Sequence, residues 1–115
     1  MARAHHTERK RVGALTVRIK RGRDQFIGIG DRFETQIEGR VTAVAAAPGN
    51  LFVGSSKGVL VRLETQTGRQ CARATFDAAI TELAVRGAVV TVTVGETEHA
   101  VKATSLKNVK PASVR

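Results

Sequence analysis

The sequence predicts an all-β protein, an antiparallel meander of about nine short strands, and three observations carry that prediction. Apolar and polar residues alternate over short runs, as in Leu15-Thr16-Val17-Arg18-Ile19-Lys20 and Val59-Leu60-Val61-Arg62-Leu63-Glu64. Glycine-bearing turns punctuate those runs, at Gly54-Ser55-Ser56-Lys57-Gly58, Thr67-Gly68 and Gly95. The best helical run, Ala-rich Thr42–Ala47, is too short to hold alone. A small β-sandwich or barrel is the alternative arrangement of the same strands.

Each element has a local reason. Residues 1–11, MARAHHTERKR, lack periodic apolar positions and read as a flexible basic tail. A single β domain over residues 12–108 follows, and residues 109–115, with Pro111, read as a C-terminal tail. After the Leu15–Lys20 strand, Gly22 to Asp24 turns the chain into Phe26-Ile27-Gly28-Ile29. Residues 32–38 place Phe33, Thr35 and Ile37 on one face of the next strand. Gly39 leads to Val41–Ala46, and Pro48-Gly49-Asn50 leads to Leu51-Phe52-Val53. Beyond Val59–Leu63, residues 69–76 alternate Cys71, Arg73 and Thr75 against Ala72, Ala74 and Phe76. Ile80–Val85 and Ala88–Val94 flank Arg86-Gly87 as a hairpin, and a last strand begins near His99.

These elements recur. A shift of 39 residues sets VTAV at 41–44 on ITEL at 80–83, Ile37 on Phe76 and Thr42 on Thr81. Each copy continues into an apolar strand, a glycine turn and a further strand. Units near 14–39, 41–78 and 80–108 result, and a period near 40 with three or four strands per unit fits a repeat of roughly 40–50 residues.

The stretch 50–69, NLFVGSSKGVLVRLETQTGR, resembles the repeat of PQQ-like and WD40-type β-propellers, with its glycine hairpin and Thr-Gly turn leading to an outer strand. VTAVAAAPGN before it is similar to the innermost strand of such a blade and its turn. The resemblance covers residues from about 32 to 108 and implies a propeller-like module of two to three blades, fewer than the four or more of a closed ring. Leu63-Glu64 stands where a Trp-Asp pair would end the third strand, and the chain has neither a Gly-His pair nor any Trp. A quinone cofactor is therefore not carried over, and no cofactor is expected.

The 115 residues leave room for one modest core, 42% apolar but built largely of Ala and Val with four Phe and no Trp or Tyr. Lone Cys71 excludes an intramolecular disulfide and a four-Cys zinc site, and in a strand it reads as a small buried hydrophobe. No apolar span is long enough for a transmembrane helix. The expected location is intracellular and cytoplasmic, with organellar targeting by the Arg-rich, acid-poor N-terminus as the alternative.

Catalytic chemistry finds no foothold. His5-His6 are adjacent, a spacing poorly suited to chelation by a designed pair. His99 beside Glu96 and Glu98 reads as an exposed residue flanking a turn, and Ser55-Ser56 as turn residues. Gly28-Ile29-Gly30-Asp31 lacks the helix and Lys of a phosphate loop. The expectation is a protein that is not an enzyme and holds no metal.

Charge is the remaining signal. Of a net +9, most belongs to residues 1–23, where Arg3, Arg9, Lys10, Arg11, Arg18, Lys20, Arg21 and Arg23 face only Glu8. Such density attracts polyanions by counterion release, and Arg18 and Lys20 share the polar face of one strand. The eight residues are candidates for binding a polyanion or an acidic partner. The leading functional reading is a non-catalytic, propeller-like scaffold that joins a larger assembly, through a protein partner or by self-association at β edges. Exposed Val/Ala faces would add burial to those contacts. The alternative is a small basic nucleic-acid-binding β protein, RNA-binding or ribosome-associated, that contacts RNA or DNA through the basic segment.

Overall fold

The computed structural model describes residues 6–13, 15–21, 25–29 and 32–108. Strands without helices make up their regular structure. They are β1 (His6–Val12), β2 (Leu15–Arg21), β3 (Gln25–Ile29), β4 (Phe33–Ile37), β5 (Val41–Ala47), β6 (Asn50–Ser55), β7 (Val59–Glu64), β8 (Gln70–Thr75), β9 (Ile80–Arg86), β10 (Val89–Val94) and β11 (Thr97–Lys102). Every pairing is antiparallel between chain neighbours, giving three meanders: β1-β2-β3-β4, β5-β6-β7-β8 and β11-β10-β9. Thr42–Ala47 is strand, as its length requires.

The sheets stack face to face with the second in the middle. Leu51, Phe52 and Val53 show why: all three are fully buried, although successive strand residues point to opposite faces. Leu51 and Val53 join Val17, Ile19, Ile27 and Ile29 in a core shared with the first sheet. Phe52 joins Leu60, Ile80, Val90 and Val92 in a second core shared with the third sheet. A contiguous apolar run is thus the mark of a middle layer, whereas the alternation of Val90, Val92 and Val94 marks a sheet with one face covered. The sandwich and barrel alternatives are not adopted.

The recurrence seen in the sequence is a recurrence of register. Val41 pairs with Ser55 and Ile80 with Val94, both partners displaced by 39 residues. Thr42 Oγ1 approaches the Gly54 carbonyl at 3.2 Å, and Thr81 Oγ1 approaches the equivalent Thr93 carbonyl at 3.2 Å. The hairpin after β10 is one residue shorter than that after β6, so the displacement becomes 38. At that offset Glu64 N bonds Arg69 O and Gly68 N bonds Glu64 O, as Lys102 N bonds Lys107 O and Leu106 N bonds Lys102 O. Leu106 takes a left-handed φ of 61°, where Gly68 takes 76° in the earlier turn. An isolated bridge from Val101 to Asn108 then mirrors the start of β8.

Three expectations are corrected. The tail expected over residues 1–11 gives way at His6–Val12 to a strand whose backbone pairs with β2 throughout, from His6 opposite Arg21 to Val12 opposite Leu15. Its residues carry no apolar period because β1 is an edge; its stability comes from that pairing and from Arg21, whose Nη2 lies 2.9 Å from Glu8 Oε1. Cys71 is exposed, not buried. The register slips so that Arg62 faces Ala72 and Leu63 faces Gln70, which leaves Cys71 as the extra residue of a bulge on an edge strand. Most of the Val and Ala surface also meets between the sheets and not solvent, while Ala84 and Ala100 stay exposed on the outer face of the third sheet. Residues 1–5 and 109–115, the rest of the two expected tails, lie outside the described residues, as does the turn at residues 22–24.

Candidate functional site

With the apolar faces turned inward, the stack ends in two polar surfaces. On the first sheet, Val17, Ile19, Ile27 and Ile29 point toward the second sheet, so the alternate residues form the outer face. Register assembles that face in rows. Arg9 lies opposite Arg18, which lies opposite Gly28, which lies opposite Glu34. Thr7, Lys20, Phe26 and Gln36 form the neighbouring row, and Arg11 opposite Thr16 begins a third.

Four cations therefore share one pleated face. Within a row, strand spacing separates the β1 and β2 residues by about 4.8 Å, and neighbouring rows lie about 6.8 Å apart along a strand. Arg9 and Arg11 are exposed, while Arg18 and Lys20 are half-buried. Among the described residues Glu34 offsets them, with Oε2 3.6 Å from Arg18 Nη1 and 3.7 Å from Lys20 Nζ. Lys20 Nζ also stands 5.9 Å from the Phe26 ring centroid, within range of a cation–π contact. Gly28 keeps the face low beneath Arg18: a Cβ there would come within 3.0 Å of Arg18 Nη2 and within 2.4 Å of the Phe33 carbonyl oxygen.

Of the eight candidate residues, the fold brings together Arg9, Arg11, Arg18 and Lys20. It sends two elsewhere. Lys10 pairs with Val17 on the opposite side of the sheet. Arg21 is committed to structure, donating to Glu8, to Gln25 Oε1 at 3.2 Å and to the Val41 carbonyl at 3.2 Å. Arg3 and Arg23 lie outside the described residues. Phe26 and Glu34 belong to the face although the charge pattern alone does not point to them; the alternation of Phe26 and Gly28 against Ile27 and Ile29 was the available signal.

The outer face of the third sheet differs. Arg86, Val89 and Lys102 form one row, and Glu82, Thr93 and Glu98 another, so its charges balance. His99 lies in a strand as expected, β11, but is half-buried and not exposed, with its ring 5.0 Å from that of Phe76. That contact packs the third sheet against the second. Among the described residues no three His, Cys, Asp or Glu side chains gather as a metal site. No helix among them is long and apolar enough to cross a membrane.

Comparison with known proteins places this geometry among β-propellers. No protein-family model and no curated protein matches the sequence. Solved structures do match the fold. BamB from Moraxella catarrhalis superposes with a TM-score of 0.70 at 14% identity, over 94% of this chain and 35% of that one. A HIRA fragment gives 0.61 at 15% identity, over 90% of this chain and 36% of that one. A europium-containing methanol dehydrogenase gives 0.60 at 13% identity, over 96% of this chain and 23% of that one. The three sheets are propeller-type blades, and the chain spans about a third or less of the length of the propellers it resembles.

Proposed function

We propose that this chain is a non-catalytic, propeller-like binding module that works as one subunit of a larger assembly. The observation that carries the proposal is the open stack: three blades with two cores between them and an uncovered face at either end. A closed ring takes four or more blades. The longer solved propellers sharing the fold support a reading in which further blades or partners complete the structure.

The contact would be polar. Both end faces carry charged or hydroxyl side chains, as terminal repeats do when they meet water. The charged rows work against purely apolar stacking of a further blade, and Thr93 argues the same point on the third blade. At the equivalent place on the second blade stands Gly54, which leaves room for Ile80 of the following blade. Strand edges and charge complementarity remain as the means of association.

Sedimentation velocity of the untagged chain, across a hundredfold range of concentration and at two salt concentrations, tests the proposal. Reversible association that weakens at high salt is the expected result. A compact monomer under every condition would overturn it.

A further inference from the structure

We propose that the outer face of the first blade binds single-stranded nucleic acid, with Arg9, Arg11, Arg18 and Lys20 holding phosphates and Phe26 stacking on a base. This goes beyond the assembly reading and stands without it.

Charge placement comes first. Arg9 and Arg18 are direct cross-strand partners. Like charges so placed oppose one another across a β pair, and an anion bound between them relieves that opposition. The neighbouring cations are two residues apart along β1 and β2, about 6.8 Å, on the scale of successive phosphates of an extended strand. Glu34 sits to one side of the cluster, against Arg18 and Lys20, and leaves the β1 side to the arginines. The third blade's outer face serves as an internal control. It is equally exposed to water yet balances its charges, so solvation alone does not require a basic face.

Shape and the aromatic ring select the ligand. A broad pleated face cannot enter a duplex major groove, which admits a helix or a narrow ribbon. Unpaired bases can lie flat on a sheet and stack on its aromatic residues, the cations tracking the backbone alongside. Phe26 is half-buried on this face, with Lys20 beside its ring. An acidic polypeptide would use the cations but would have no need of the ring.

Fluorescence anisotropy with a labelled twelve-nucleotide uridine oligomer, at 50 and 200 mM salt, tests the site on the full chain. Binding that weakens steeply with salt is expected. The double variant Arg9→Gln/Arg11→Gln should weaken binding at least tenfold at the lower salt and reduce the slope of log affinity against log salt by about 1.4. Phe26→Leu should weaken binding about tenfold while leaving that slope unchanged. Arg86→Gln/Lys102→Gln, on the opposite end of the stack, should leave binding intact. Circular dichroism melts confirm that each variant is folded. The thymidine oligomer binding like the uridine oligomer, or more weakly, supports the same site, the comparison reporting whether the 2′-hydroxyl contributes. Duplex DNA or polyglutamate binding as tightly as the uridine oligomer overturns the proposal, as does equal loss in the Arg86/Lys102 control or no binding to either oligomer. Self-association by sedimentation is read separately, so either proposal can fail alone.

Discussion

Arg9 shows how a residue can cost stability where it stands. It faces Arg18 across the β1–β2 pair, and Arg9→Glu would turn a repulsive pair into an attractive one. A gain of about 0.2–1 kcal/mol is expected at low ionic strength, shrinking as salt screens the pair. Urea melts at 20 and 500 mM salt would read it, and a loss of stability at low salt would show that the opposition is harmless. Gly54 is constrained by closeness. A Cβ there would lie 2.6 Å from Ile80 Cγ2, and Ile80 is fully buried between the second and third blades. Gly54→Val should therefore cost about 1–3 kcal/mol by overpacking. Combining it with Ile80→Ala should cost less than the two single losses added together, since the smaller residue makes room. Strict additivity in that cycle would mean the blades do not touch there.

At the scale of the element, β1 is the instructive case. A tail can be removed at no cost; an edge strand cannot. Deleting residues 1–12 would strip β2 of one of its two hydrogen-bonding neighbours, remove the buried side chain of Val12 and leave Arg21 without Glu8. A loss of at least about 2 kcal/mol is expected. In a chain of this size that corresponds to a fall of roughly 8–16 °C in melting temperature. An unchanged melting temperature would restore the tail. The turn from Glu64 to Arg69 also acts as a unit. Thr35 Oγ1 donates to the Gly68 carbonyl at 3.0 Å and Arg32 Nη1 to the Thr65 carbonyl at 3.3 Å, so β4 docks on the turn of the next blade. Phe33 fills the space that any side chain at Gly68 would need.

For the whole molecule, the order of the layers sets the order of stability. The middle blade is covered on both faces: Leu51, Phe52, Val53, Leu60 and Leu63 are all fully buried. The outer blades are covered on one. Amides of β6 and β7 should exchange with solvent most slowly, and those of β1 and β11, at sheet edges, fastest among the strands. If β10 or β2 outlasted β7, the layered reading of the two cores would be wrong. The stack also explains how one short chain presents two different end faces. The shared middle blade supplies the apolar partner for each neighbour, freeing the outward residues of the first and third blades to differ in charge.

The pattern of residues determined the strands, their repeat and half of the basic face. Periodicity of two, glycine turns and the 39-residue echo are local or near-local properties, and each was legible because side-chain direction alternates along any strand. Arg18 and Lys20 could be put on one face for the same reason. Tertiary structure alone decided the rest. Whether His6–Val12 is strand or tail depended on an unsatisfied edge of β2, which the polar sequence of that segment does not announce. The register of that edge then chose Arg9 and Arg11 for the face, sent Lys10 to the other side and drew Arg21 into a structural role. That Val and Ala surfaces would meet one another, leaving polar ends, followed from packing three sheets in a row: burial is a property of neighbours, and a single strand does not carry the identity of the layer that will cover it.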